Sequence, residues 1–354
     1  MLWLDLEINF QVKLKCNSHH LIGSMVTPLH SRDYGNSFAL NNSDDGTPIK
    51  EMLSLGKYLY LITKQCTYRV QMADQIDPER KNSNLPPVFQ QKLFDLGTDS
   101  ELLRRTLIQA KVLFRKEFLC IDLERAMELT LEALSELAAM HEVRKNFASL
   151  EQAAINNLGV NPSKDRSQTI PSVGNVQSKC KTFSQKADHF AAKLMEIVRL
   201  FYPEQKRKNW DEFQLMAQSL YDESDPFCEV LNIVIPVLKL VRNIRDCLEH
   251  HLSGVVVRDF EPKPDGVIAA PRIEVNFRDS SLESISISSF MSDIEIHLLD
   301  IFEILVAHMS SKHMKPFAGI PMEIGLVPED VQDVWHVRFT YGMRNQDGQF
   351  IPCG

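Results

Sequence analysis

The sequence predicts a mainly α protein: an antiparallel helical bundle with small β-elements at the N-terminus, after a helix that ends near Gly254, and at the C-terminus. Three observations lead there. Residues 122–158, "DLERAMELTLEALSELAAMHEVRKNFASLEQAAINNL", are rich in Ala, Leu and Glu, the strong helix formers. Phe183, Ala187, Phe190, Ala191, Leu194, Ile197, Val198 and Phe201 recur at helical spacing and make one apolar stripe. Apolar residues at period two are confined to the two ends of the chain and to 255–288.

Leu2, Leu4, Leu6, Ile8, Phe10, Val12 and Leu14 alternate with mostly polar neighbours, which predicts a half-buried strand. Residues 31–49 are rich in turn formers and read as loop. "IKEMLSLGKYLYLITKQCTYRVQMADQI" (49–76) reads as helix, ending before Asp77-Pro78, and residues 79–90 as a connector. Residues 1–98 thus form a region without an assigned role. A helical domain spans 99–310. It opens at a cap, Asp99 or Ser100, followed by Leu103, Leu107, Ala110, Leu113 and Phe114. Gly159 stops the second helix, and Gly, Pro and Ser without a period make 159–178 a linker. A long helix from about 179 ends at Pro203, and a shorter one covers 204–223. Asp225-Pro226 has the order of a helix start, with Pro236 as a kink inside the helix. "VVVRDF", "PRIEVNF" and "ESISIS" are strands of a β-meander near 255–288, before a helix at 289–310. Residues 311–354 form a tail with a β-hairpin.

Of the 354 residues, 44% are hydrophobic and 24% charged, as in ordinary globular proteins. No run of about 18 apolar residues predicts a membrane span, and "MLWLDLEINF" lacks a secretory pattern. The seven cysteines are scattered, with no CxxC, which fits free thiols in a reducing cytoplasm. A net charge of −8 argues against a surface that binds nucleic acid all over. There is no P-loop, no GxGxxG after a strand, no HExxH and no GxSxG. Cys16, His19 and His20 form a weak metal candidate, since metal sites need three or four convergent ligands. His141, His189, His297 and His308 read as core or edge histidines, and "KRK" at 206–208 as a solvated face.

The remaining signal is "LVRNIRDCLEHHLSG", residues 240–254, where an apolar helix ends in arginines, carboxylates and adjacent histidines. Arg245-Asp246-x-x-x-His250 resembles the Arg-polar-x-x-x-His signature of the HEPN superfamily. The likeness covers about ten specific residues, and residues 1–98 and the last 40 have no counterpart. It implies a metal-independent, cofactor-free endoribonuclease that uses the 2′-hydroxyl of RNA as nucleophile. Such a protein would act in defence or as a toxin, as a homodimer or with a protein antitoxin. In that reading His250 is general base or acid, Arg245 stabilises the phosphorane, and Asp246 orients one of them. Arg242, Asn243 and His251 are supporting candidates. Five helical residues span about 500°, so Arg245 and His250 point about 140° apart, and a compact site needs a frayed end or a dimer.

The same residues have a reading without chemistry. Arg242 and Asp246, and Arg245 and Glu249, are i,i+4 pairs that staple a helix face for a few tenths of a kcal/mol each. Histidines at a helix C-terminus suit the negative end of its dipole. The alternative is therefore a non-catalytic helical interaction protein, working as a homodimer or with a protein partner. The two readings differ in burial: catalysis wants Arg245 and His250 in a polar cleft with basic neighbours, whereas a scaffold leaves paired charges and solvated histidines.

Overall fold

A computed structural model describes residues 48–157, 169–204, 209–317, 319–328 and 335–353. The strand expected at 2–14 and most of the 31–49 loop lie outside them. The first described element is a sheet. Strands β1 (Glu51–Leu55), β2 (Tyr58–Ile62), β3 (Thr67–Met72) and β4 (Val88–Phe94) form an antiparallel meander, with one turn of helix, α1 (Ala73–Ile76), between the last two. This corrects the helix expected over 49–76. Gly56 at φ +55° closes the β1–β2 turn, and Glu51–Leu55 pairs residue by residue with Tyr58–Ile62. The sheet is apolar on both faces. Leu55, Tyr60 and Ile62 join the main core, while Leu61, Cys66, Tyr68 and Val70 bury in a second cluster. A strand covered on both sides loses the period-two alternation that marks a half-exposed one. Gly97 lets the chain leave this sheet: a Cβ there would lie 2.2 Å from the backbone of Lys64, and Thr98 and Asp99 donate to the carbonyls of Thr63 and Lys64.

Helix α2 (Glu101–Leu103) passes through a π-helical stretch, Arg104–Ile108, into α3 (Gln109–Leu113). Four long helices follow: α4 (Leu123–Asn156), α5 (Val176–Phe201), α7 (Pro226–His250) and α8 (Ile287–Lys312), with the shorter α6 (Trp210–Leu220) between α5 and α7. Side-chain caps start three of them: Asp122 accepts from the Arg125 N–H, Asp225 from that of Phe227, and Ser286 from that of Ser289. Helix α7 runs on through Pro236. Polar pairs fix an antiparallel register. Glu132 meets Lys193 and Glu136 meets Lys186 across α4 and α5. Asp188 meets Arg245 across α5 and α7, and His141 meets Glu295 across α4 and α8. The buried faces of these helices form one core, in which Phe183, Phe190, Phe213, Phe227 and Phe302 are fully enclosed.

After α7 comes a second antiparallel sheet, β5 (Val255–Arg258), β8 (Arg272–Phe277) and β9 (Ser280–Ser286), ordered β5-β8-β9, with a small ribbon, β6 (Glu261–Pro262) and β7 (Ile268–Ala269), inserted in it. A last sheet joins β10 (Glu323–Leu326), β11 (Phe339–Arg344) and β12 (Phe350–Pro352) in that order. Of the described residues, 49% are helical and 21% lie in strands, distributed over four separate antiparallel sheets. The mainly α, antiparallel helical bundle that the sequence predicted is therefore corrected to a mixed fold of helices and sheets. The expectation failed chiefly at 49–76, where the first sheet is apolar on both faces and its sequence carries little alternation.

The C-terminal sheet is bound to α3 rather than trailing from the domain. Gln109, fully buried, donates to the Phe339 carbonyl at 2.8 Å and accepts from the backbone N–H groups of Arg338 and Phe339 at 3.0 Å each. Tyr341 donates to the Leu113 carbonyl at 2.7 Å and stacks on Phe118 with centroids 3.9 Å apart. Replacing Gln109 with Leu strands three backbone polar groups in the core. Each uncompensated group costs roughly 1–3 kcal/mol, so Q109L should lose about 3 kcal/mol in urea unfolding and lose hydrogen-exchange protection first in β10, β11 and β12. Unchanged protection there would refute this anchoring role.

Candidate functional site

The last turns of α7 carry the residues that the sequence singled out. Asn243, Ile244, Cys247 and Leu248 are buried, so the residues between them are turned to the helix flanks. Arg245 turns toward α5. Its Nε and Nη2 donate to Asp188 Oδ2 at 3.1 and 2.9 Å. Its Nη1 lies 3.3 Å from both Asp246 Oδ1 and Glu249 Oε2. Glu249 in turn accepts from Gln185 of α5 at 3.2 Å. The side chain is three-quarters buried, and its guanidinium is surrounded by three carboxylates.

Asn243 and Asp246 face the other way, onto the β8–β9 turn. Asn243 is 4% exposed; its amide donates to Ser280 Oγ at 2.8 Å and Asp279 Oδ1 at 3.2 Å, and its oxygen accepts from Arg278 at 3.1 Å. Arg278, in the left-handed region at φ +54°, also reaches Asp246 at 3.1 Å. Asp246 thus bridges Arg245 and Arg278, not Arg242. His250 is the last helical residue and is exposed. His251 follows at φ +53° and closes the helix by donating its backbone N–H to the Cys247 carbonyl. Its side chain and that of Arg242 are exposed too, and among the described residues none of the three side chains has a hydrogen-bond or ion-pair partner.

The fold therefore brings Arg245 and Asp246 together and leaves His250 apart from them. What this arrangement does chemically is hold charge. Arg245 welds α7 to α5, and Asn243 with Asp246 holds the β8–β9 turn. A phosphate approaching Arg245 would meet Asp188, Asp246 and Glu249, all acceptors, and would have to displace one of them. Sequence reasoning missed Asp188, Gln185 and Arg278 because each is a single polar residue on another element with no spacing signal of its own. His141 and His308 take the structural roles expected of them: His141 bonds Glu295 at 3.0 Å, and His308 stacks on Phe227 with centroids 5.6 Å apart. Cys16, His19 and His20 lie outside the described residues, as does the "KRK" run, and among the described residues no cluster of His, Cys, Asp and Glu is placed to hold a metal.

A cavity of about 300 Å³ opens elsewhere, between the second half of α8, the start of α7 and the C-terminal sheet. Ile304, Ala307, His308, Ser311 and Lys312 line it at i, i+3, i+4, i+7 and i+8 along one face of α8. Phe350 forms its wall over Gly325 and Gly342, where a Cβ would fall 2.7 and 2.4 Å from the ring. No family model matches the chain, and no curated protein or solved structure matches it.

Two predictions follow from these geometries. Arg245→Ala leaves Asp188 and Glu249 without their cation in a partly buried seam. It should cost about 2 kcal/mol in urea unfolding, between the values for exposed and buried pairs, whereas Arg242→Ala should stay within about 0.5 kcal/mol. Equal effects would break the assignment. Burial, helped by Lys312, holds the His308 imidazole at about 4, below its ordinary 6.5. The unfolded chain takes up that proton first, so stability is intact above about pH 6.5 and is lost as pH falls toward 4. Thermal unfolding of His308→Gln should show a flatter decline over that window than wild type.

Proposed function

We propose that this protein is a non-catalytic interaction protein, working through a second copy of itself or a protein partner. The observation that carries this reading is the Arg245 guanidinium. Its donors are engaged by Asp188, Asp246 and Glu249, while His250 stands in solvent at the helix end. An arginine meant for a transition-state phosphate needs uncommitted donors and a basic surround, and the surround here is acidic. A contact surface is available on α6 and α7. Gln214 and Asn232 bond across the two helices at 2.6 Å, and the next residue on each, Leu215 and Ile233, is an exposed apolar side chain, 66% and 45% accessible.

The second reading is the metal-independent endoribonuclease of HEPN type. It is favoured by Arg242, His250 and His251, whose uncommitted side chains all stand exposed on the last turns of α7. Two copies meeting at that end would pool these groups on one RNA.

One preparation separates the readings. Purified protein is followed by sedimentation and by RNA cleavage in EDTA, wild type beside His250→Ala, Arg245→Ala and a Leu215→Glu, Ile233→Glu double variant. The interaction reading expects no cleavage above the His250→Ala background and self-association that the double variant weakens. Cleavage that survives EDTA and disappears in both single variants would overturn it in favour of the ribonuclease.

A further inference from the structure

The cavity at the C-terminal end of α8 has a polar composition that is lopsided. Its floor and walls are apolar: Ile304 and Ala307 from α8, Leu326 from β10, Phe339 from β11 and Phe350 from β12. Its charged groups gather at the mouth. Lys312 is paired with Asp225, the cap of α7, and lies 4.6 Å from the Tyr221 ring centroid. That pair uses one of the three ammonium protons. Arg344 contacts Glu323 through Nε at 2.8 Å and the Gly348 carbonyl through Nη1 at 3.0 Å. Among the described residues its Nη2 has no partner, and neither has the Ser311 hydroxyl. The lining thus holds two permanent cations, each already paired with one carboxylate, Lys312 with Asp225 and Arg344 with Glu323, and each keeping donors that its pair does not use. A site of about 300 Å³ with an apolar body and a few convergent polar groups is of the size and kind that small ligands occupy.

We propose that this cavity binds a small amphipathic carboxylate, with its hydrocarbon body against Ala307, Leu326 and Phe350 and its carboxylate on Lys312, Arg344 and Ser311. The spare donors select the head group. A cation at the mouth would lie against Lys312 and Arg344, and the two carboxylates there, Asp225 and Glu323, are already paired. A neutral alcohol would leave the Arg344 fork unused. The aromatic wall depends on the two glycines beneath Phe350, so the shape of the cavity is built by the sheet rather than left over from poor packing. The site is on the opposite end of α7 from Arg245 and His250, so it stands whether or not the interaction reading holds.

The test is calorimetric titration of the full chain with octanoate, 1-octanol and octylamine, which share one body and differ in the head. Octanoate should bind saturably and about tenfold more tightly than octanol, the amount one charge-assisted hydrogen bond supplies, and octylamine should not bind measurably. Arg344→Gln should weaken octanoate by about tenfold and leave octanol unchanged. Ala307→Phe fills the cavity and should abolish binding. Because Ala307 packs against the core, Leu326→Trp at the exposed rim is the companion variant and should also block it. Equal affinity for the three probes, octanoate binding unaffected by Leu326→Trp, or no saturable binding of octanoate would overturn the proposal.

Discussion

A buried carboxylate organises this protein. Glu303 sits on the inward face of α8 with no solvent exposure. Leaving that charge alone in the interior would cost several kcal/mol, so its position dictates what must come to it. Arg105, from the π-helical stretch, reaches Oε2 through Nε at 2.7 Å, and Arg338, just before β11, reaches the same oxygen at 2.9 Å. Asp300, one turn earlier on α8, is shared by the same two arginines. Burial still outweighs the two arginines and holds the Glu303 carboxyl above the usual carboxylate range. Segments 198 and 35 residues away in sequence are tied to one point on one helix. Once they are there, Gln109 is in place to complete the backbone of β11, and the C-terminal sheet is seated against α3.

The same logic governs the far end of α7. A guanidinium removed from water must find acceptors, and the ones that reach it decide its role. Arg245 finds Asp188 on a neighbouring helix, which makes it a strut between α5 and α7. Asn243 and Asp246 find the tip of the β8–β9 turn, so the second sheet is pinned by side chains of the helix that precedes it. The cavity at the other end of α7 differs. There Lys312 and Arg344 are each paired with one carboxylate and still keep donors for something the chain itself does not supply.

Helix ends were legible in the sequence at Asp225-Pro226 and Pro203, but not at Asp122 or Ser286, and the expected cap at Asp99 or Ser100 makes no side-chain cap bond. Asp225-Pro226 starts α7 and Tyr202-Pro203 ends α5, because capping and proline sterics act within a few residues. The meander at 255–288 was legible for a related reason: β5 and β8 each keep one wetter face, and Val255 to Arg258 alternate in burial. The first sheet was not. Its strands Tyr58–Ile62 and Thr67–Met72 are covered on both faces, and an apolar run of that kind has the same composition as a buried helix. Nor was the pairing of Arg245 legible, since the i,i+4 partner Glu249 is visible in sequence while Asp188, 57 positions away, is not.

The sequence by itself determined the periodic helices, the Asp225 cap and the charged end of α7, because those depend on forces that act over one or two turns. The tertiary structure alone decided that the chain mixes helices with four sheets. It also decided that Arg245 is a bridge rather than a free donor, and that Lys312 and Arg344 share one cavity mouth. Those outcomes depend on which distant groups must satisfy a buried charge or an unpaired strand, and the desolvation cost that enforces them exists only once the chain has folded.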